Sequence, residues 1–375
     1  MTKDTKARAL RRTTIVALCG AIVACAAIVG SAAARRTLDI YFIDVEGGQS
    51  TLVVTPSGES LLIDTGFPGD GTFTSLPGDS AQARDANRIL AVARAAGVKR
   101  IDSLLITHFH ADHDGGVPEL AQLIPIRTFI DHGSPDPGAE ERVAGTTAAF
   151  DRYAKVRATG KHLMPKPGDR IPLSGVEAIV VSSAGATLQK PLEGAGGANL
   201  ACGAVLPAQE PTENPRSTGV RLRYGGFTFL DVGDLSGDPL FALMCPKRMI
   251  GPIDVYLVAH HGGVDSADPA DFIGIAPRVA IVNNGASKGG SPEMLAALHQ
   301  ARGLEDAWQL HRSTPAGPRF VRDDHTANLD DSTSHWIKVS ASADGSFVVT
   351  NGRTGEAKSY GARSGTSRST PRLVP

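Results

Sequence analysis

His108-Phe109-His110-Ala111-Asp112-His113-Asp114-Gly115-Gly116 holds four metal-binding side chains within the six residues from His108 to His113. In extended backbone, residues two apart point to the same side, so His108 and His110 can grip one ion together. Asp112 and His113 lie past the turn and can face a second ion about 3.5–4 Å away, the spacing of two-metal hydrolases. Gly115 and Gly116 let the backbone turn sharply there. Imidazole and carboxylate donors suit zinc, two ions of it, with manganese or iron as alternatives.

The elements around this stretch read as an α/β fold. Ile101 to Thr107 is a short apolar run, hence a buried strand. The cluster therefore sits at a strand's C-terminal end, where α/β sheets place their chemistry, and leads into a helix near Pro118 to Leu123. Upstream, Thr37 to Asp44 alternates and is rich in β formers. Thr51 to Thr55 and Ser60 to Asp64 flank the turn Pro56-Ser57-Gly58. Ala81 to Ala96 has helical spacing and stops at Gly97. Downstream, Gly219 to Tyr224 and Thr228 to Asp231 read as a hairpin about Gly225-Gly226. Asp254 to Ala259 is a strand ending at His260-His261-Gly262-Gly263, Arg278 to Asn283 another strand, and Pro292 to Ala301 a helix. Trp336 to Ala341 and Ser346 to Thr350 form a last hairpin.

Five stretches together resemble the metallo-β-lactamase superfamily, from about Leu38 to Asn283. The opening Phe42-Ile43-Asp44-Val45-Glu46-Gly47-Gly48-Gln49-Ser50 resembles the extracytoplasmic hydrolase domain of ComEC-type competence proteins. Leu61-Leu62-Ile63-Asp64-Thr65-Gly66 resembles the superfamily's first motif, and the His108–Gly116 stretch its second. Leu230-Asp231-Val232-Gly233-Asp234 and Val258-Ala259-His260-His261-Gly262-Gly263 resemble the later Gly-Asp and His-His-Gly motifs. The resemblance implies a four-layer αββα sandwich with the metals at one edge of the two sheets. It also implies roles. Asp64 supports the metal loop, and Asp234 bridges two ions held by His108, His110, Asp112, His113 and one late histidine. Outside that register, Asp64 is an ordinary turn aspartate and Asp234 the N-cap of a following helix.

Adjacent residues at a strand end point to opposite sides. One of His260 and His261 is therefore expected on the metal, His261 in the first instance. The other, His260, is then a candidate to contact substrate or donate a proton, and Asp112 to orient or deprotonate water. Many members have a third histidine between the second and Gly-Asp motifs. Here Thr212 to Gly219 has none, so one site is expected to be weaker, open to water, or completed by Glu213 or Asn214, with His132 and His162 as alternatives. His311 reads as a satisfied loop histidine.

The chain has 375 residues, 41 % hydrophobic and 21 % charged, with net charge −1. These values fit a soluble globular body and give no clear nucleic-acid-binding surface. Basic residues followed by the apolar run Thr13 to Ala34 make residues 1–34 a signal peptide or membrane anchor. Cleavage after Ser31-Ala32-Ala33-Ala34, a lipoprotein signal at Cys25 and an uncleaved anchor all remain open. Each places the body outside the cytoplasm, attached to a membrane through the N-terminus only, if at all. In an oxidising compartment Cys202 and Cys245 can form one disulfide or stay two thiols. A hydrolase domain is expected over 36–285, a C-terminal extension packed on it over 286–352 and a disordered tail over 353–375.

Two ions lower the pKa of a bound water from about 15.7 to near 7, which equips the site to hydrolyse a small-molecule or polymeric ester. A phosphodiester or other phosphoester is expected first, from the ComEC-type resemblance. A carboxylic ester, lactone or β-lactam comes next, and a non-catalytic envelope module with a structural metal is the reading from another class.

Overall fold

The computed structural model describes residues 37–69, 82–203 and 210–363. In chain order its strands are β1 (Thr37–Phe42), β2 (Thr51–Val54), β3 (Ser60–Ile63), β4 (Ile101–Leu105), β5 (Ile126–Ile130), β6 (Lys161–Leu163), β7 (Arg170–Ile171), β8 (Glu177–Ser183), β9 (Ala186–Thr187), β10 (Gly219–Tyr224), β11 (Phe227–Asp231), β12 (Val255–Leu257), β13 (Val279–Val282), β14 (Asp306–His311), β15 (Thr326–Asn328), β16 (Ile337–Ser342), β17 (Phe347–Asn351) and β18 (Ala357–Tyr360). One sheet runs β18-β17-β16-β1-β2-β3-β4-β5-β6. The other runs β15-β14-β13-β12-β11-β10-β8-β7, with β9 added on β8. In both, an antiparallel half passes into a parallel half. β3 to β6 are parallel in the first sheet and β11 to β15 in the second.

The period of two along each strand makes this a sandwich. Leu38, Ile40 and Phe42 of β1 pack inward with Leu61, Ile63, Val220, Leu222, Phe229, Leu257 and Trp308. The outer face of the first sheet, including Leu52, Leu62 and Leu104, is covered by α1 (Arg84–Ala95), α2 (Val117–Leu123) and α3 (Thr146–Arg157) through Ile89, Ala93, Leu120 and Tyr153. The outer face of the second, including Leu230, Tyr256 and Ala280, is covered by α4 (Gly237–Met244), α5 (Pro269–Ile275) and α6 (Pro292–Leu298) through Leu243, Phe272 and Met294. The layers are helix, sheet, sheet, helix. Each fully buried aliphatic or aromatic side chain contributes roughly 1.5–3 kcal/mol, enough in sum to hold strands that are apolar on both faces. Parallel halves leave the C-terminal ends of β3, β4, β5, β11, β12 and β13 as loop-bearing ends. His108, His110, Asp112, His113, Asp234, His260 and His261 all follow one of these ends.

Two expectations are corrected. Residues 286–352 are not an extension packed on a finished domain, because β14 and β15 continue the second sheet and β16 and β17 the first. The tail expected to be disordered from 353 is ordered at its start. Ala357–Tyr360 pairs with β17, and the Tyr360 ring stacks on Phe347 with centroids 4.7 Å apart. Its hydroxyl donates to Asp306 at 2.7 Å and accepts from Trp308 Nε1 at 3.1 Å. One buried aromatic anchors a strand that a Ser/Arg/Gly-rich context hides. The expected signal or anchor over 1–34, with Cys19 and Cys25, lies outside the described residues. Cys202 and Cys245 are disulfide-bonded. No helix among the described residues is long and apolar enough to cross a membrane.

Candidate metal centre

β4 ends at Leu105, and the next residues fold back as tight turns held by their own backbone. His113 N–H and Asp114 N–H both donate to the His110 carbonyl, at 2.9 and 3.0 Å. Gly115 is required here, since a Cβ on it would lie 2.1 Å from the Ala111 carbonyl oxygen. Neighbouring loops clamp the turn. Thr65 N–H donates to the His113 carbonyl at 2.8 Å, and Gln49 N–H to that of Asp112 at 3.1 Å. The Gln49 amide also donates to Asp231 at 3.0 Å and accepts from Asn283 at 3.3 Å, so it ties the loops of both sheets together. Burial pushes the Asp231 carboxyl up to about 7.

Asp64 occupies the supporting place the first motif implies. It accepts from Thr107 N–H and Thr107 Oγ1, both at 2.8 Å, and lies 2.8 Å from His113 Nδ1. Burial raises its carboxyl in spite of His113. A carboxylate on the far nitrogen orients an imidazole and leaves Nε2 for an ion.

The side chains meet at Asp234. Its Oδ2 lies 3.1 Å from His113 Nε2, 3.3 Å from His261 Nε2, 3.6 Å from His260 Nε2 and 3.8 Å from His108 Nε2. Asp112 Oδ2 lies 3.2 Å from His261 Nε2 and 3.5 Å from His113 Nε2. Asp112, His113, Asp234 and His261 thus present donor atoms all within 4.8 Å of one another. Beside them His108 Nε2 and His110 Nδ1 converge to 2.9 Å.

The electrostatics match. Burial alone would raise both acids, but Lys288 and His113 hold Asp112 well below the usual carboxylate range, and His113, His261 and His260 do so for Asp234. Burial, with His113 and His110 beside it, keeps the His108 ring well below its ordinary value and so neutral. Burial would lower His113 too, yet Asp234, Asp112 and Asp64 outweigh it and raise it well above.

The residues fit a divalent-metal centre. His110 Nε2, Asp234 Oδ1 and His261 Nδ1 are buried without a hydrogen-bond partner among the described residues, which is costly unless something else satisfies such atoms. Carboxylate and imidazole are the donors zinc takes.

The late histidines depart from expectation. β12 stops at Leu257, and Ala259–Gly262 is a tight turn in which His260 (φ 49°, ψ 48°) and His261 (φ 53°, ψ 13°) are both left-handed. The alternation expected of a strand end is lost, so both rings reach Asp234. Left-handed backbone costs a non-glycine residue on the order of 1–3 kcal/mol and concentrates at functional sites. His260 Nδ1 is held by Asp265, and these acids lift the ring to about 9 against burial.

The expected third ligands part ways, Glu213 going to His132 and Asn214 reaching the site with its Oδ1 buried and without a hydrogen-bond partner among the described residues. Glu213 Oε2 lies 3.2 Å from His132 Nε2, behind Phe109, and Asn214 Nδ2 lies 3.4 Å from His260 Nε2. His260 Nε2 and His108 Nε2 lie 3.6 and 3.8 Å from the same Asp234 oxygen. His162 bonds Asp131 at 2.9 Å. His311 is buried against Asp44 at 2.7 Å. Lys288, which pairs with Asp112, and Asp265 escape the sequence reading. Position in the Gly-rich loop after β13 is the signal that marks Lys288.

The profile of the metallo-beta-lactamase superfamily matches residues 43–270, and the chain belongs to that superfamily. The αββα fold of that superfamily is the layering described above. The chain is 34 % identical over 94 residues to the atrochrysone carboxyl ACP thioesterase of Passalora fulva, covering 25 % of this chain and 24 % of that one. It is 35 % identical over 111 residues to the hydroxyacylglutathione hydrolase of Stenotrophomonas maltophilia, covering 29 % and 37 %. The matches thus span well under half of those relatives. Among solved structures, a possible metal-dependent hydrolase from Veillonella parvula aligns at TM-score 0.39 and 12 % identity, covering 80 % of this chain and 98 % of that one.

Proposed function

We propose that this metal-dependent hydrolase acts outside the cytoplasm on a phosphodiester or other phosphoester bond, with two zinc ions at Asp234. The gathering of four imidazoles and Asp112 about Asp234 carries this reading. His108, His110 and His260 would hold one ion, and Asp112, His113 and His261 the other. When bound, such ions lower the pKa of water to near 7 and polarise the oxygen of the scissile group. Asp64 and Asp265 fix the rings of His113 and His260, so the donor set is oriented before substrate arrives. Asp112, kept anionic, can accept a proton from the attacking water. The ComEC-like opening supports the phosphoester and the basic-then-apolar start supports export. A thioester or other acyl ester is the second reading, favoured by the two relatives, a thioesterase and a hydroxyacylglutathione hydrolase.

The full chain, zinc-loaded, is assayed on bis(p-nitrophenyl) phosphate, p-nitrophenyl acetate, a hydroxyacyl glutathione, a lactone and nitrocefin. Turnover of the phosphodiester above all others is expected. Preference for an acyl substrate establishes the second reading. Inertness on every substrate, with metal bound, defeats both.

A further inference from the structure

Among the described residues, Lys288 is the cation whose ammonium contacts a donor oxygen, and the oxygen is Asp112 Oδ2. That same oxygen faces His261 and His113, so it is where an ion would sit. The Lys288 backbone is fixed. Gly285 N–H donates to its carbonyl at 2.9 Å, Gly290 N–H to that of His261 at 2.9 Å, and Ser291 N–H to that of Gly262 at 2.9 Å. Gly289 (φ +73°) lies so close that an added Cβ would come within 2.2 Å of the His261 carbonyl oxygen. The loop is thereby welded to the turn that carries both late histidines. The side chain is not so confined. It is 44 % exposed, and its Nζ stands 5.3 Å from the Phe67 ring centroid at the rim.

An ammonium beside a divalent ion on one carboxylate oxygen is disfavoured, because like charges at contact repel in a partly buried site. We propose that Lys288 is a substrate-anion clamp. With the ions in place it leaves Asp112, stays at the rim through its fixed backbone and the Phe67 face, and takes an anionic oxygen of the substrate beside the scissile bond. A phosphoryl oxygen and a carboxylate on an acyl chain offer the same chemistry. This rests on the hydrolase reading of the same site.

The test uses the full chain as wild type, K288M and K288R. For zinc-loaded protein, the ratio of kcat/KM on bis(p-nitrophenyl) phosphate to that on p-nitrophenyl acetate should fall about tenfold to a hundredfold in K288M, the loss of one charged hydrogen bond. K288R should recover most of it. p-Nitrophenyl glutarate in place of the phosphodiester tells whether a carboxylate is taken instead. Calorimetric titration with inorganic phosphate and with succinate should show weaker binding of the preferred anion to K288M by a similar factor. Zinc titration of metal-free protein should show K288M binding at least as tightly as wild type, since the competing ammonium is gone. An unchanged substrate ratio together with unchanged anion affinity overturns the proposal, as does weaker zinc binding by K288M. Should no ester be turned over, the hydrolase reading falls and the anion titrations alone decide on Lys288.

Discussion

At the scale of single residues, the question is which side chain completes the set begun by His108 and His110. In the proposed site that place goes to His260, 3.6 Å from Asp234, while Glu213 pairs with His132 at 3.2 Å. Zinc titration of metal-free protein should therefore show His260→Ala weakened roughly 10–100-fold for one ion. Glu213→Ala and Asn214→Ala should stay within about threefold of wild type. A loss confined to Asn214→Ala would return the ligand to the place expected from sequence. His108, His110, Asp112 and His113 were legible because their donors crowd into six residues. Asp64 and Asp234 came with the family's motifs. The joint role of His260 and His261 was hidden because it depends on two left-handed residues that no periodicity announces. Lys288 and Asp265 were hidden because they act through contacts that the fold alone creates.

Among the elements, α5 carries a built-in pH dependence. Asp268 caps it by accepting from Ala270 N–H at 2.8 Å, while Asp271 one turn on is buried with Oδ1 unpartnered. Burial, with Asp268 adding to it, pushes the Asp271 carboxyl up to about 7. An acid raised in the folded state keeps a proton that the unfolded chain has already lost. Stability therefore falls as pH rises from near 4 through about 7, and the full penalty stands above that. Asp271→Asn should stabilise the protein by about 1–3 kcal/mol at pH 8 and hardly at all at pH 4. Denaturant unfolding at the two pH values checks this, and equal effects at both would refute it. The sequence showed α1, α2 and α6 through their spacing and stops. It did not show α3, α4 or α5. Short helices at the end of apolar strands, such as Pro269–Ile275, offer little amphipathic pattern over seven residues.

For the whole molecule, the disulfide and the strand order set the terms. Cys202 and Cys245, 43 residues apart, close a loop whose constraint on the unfolded chain is worth on the order of 4 kcal/mol. The Cys202→Ala/Cys245→Ala double variant should melt at a lower temperature than oxidised wild type and match reduced wild type in scanning calorimetry. Identical melting of all three would remove the bridge from the stability account. The two-sheet plan was legible as far as Asn283. The later strands were read only as an appendage, because a sequence does not say which earlier strand a late hairpin will join.

That join has a consequence for the chain's biogenesis. β1 does not lie at a sheet edge. It sits between β2 and β16, with Thr37 opposite Ser342. Until β16 has been synthesised, Leu38, Ile40 and Phe42 belong to a strand with one open flank, and open apolar strand edges invite pairing with other chains. The hydrolase half cannot settle while the ribosome is still working on the last third of the polypeptide. Pairing across so long a stretch is also intrinsically slow. Such a chain commits to its final shape only after its last strands have followed.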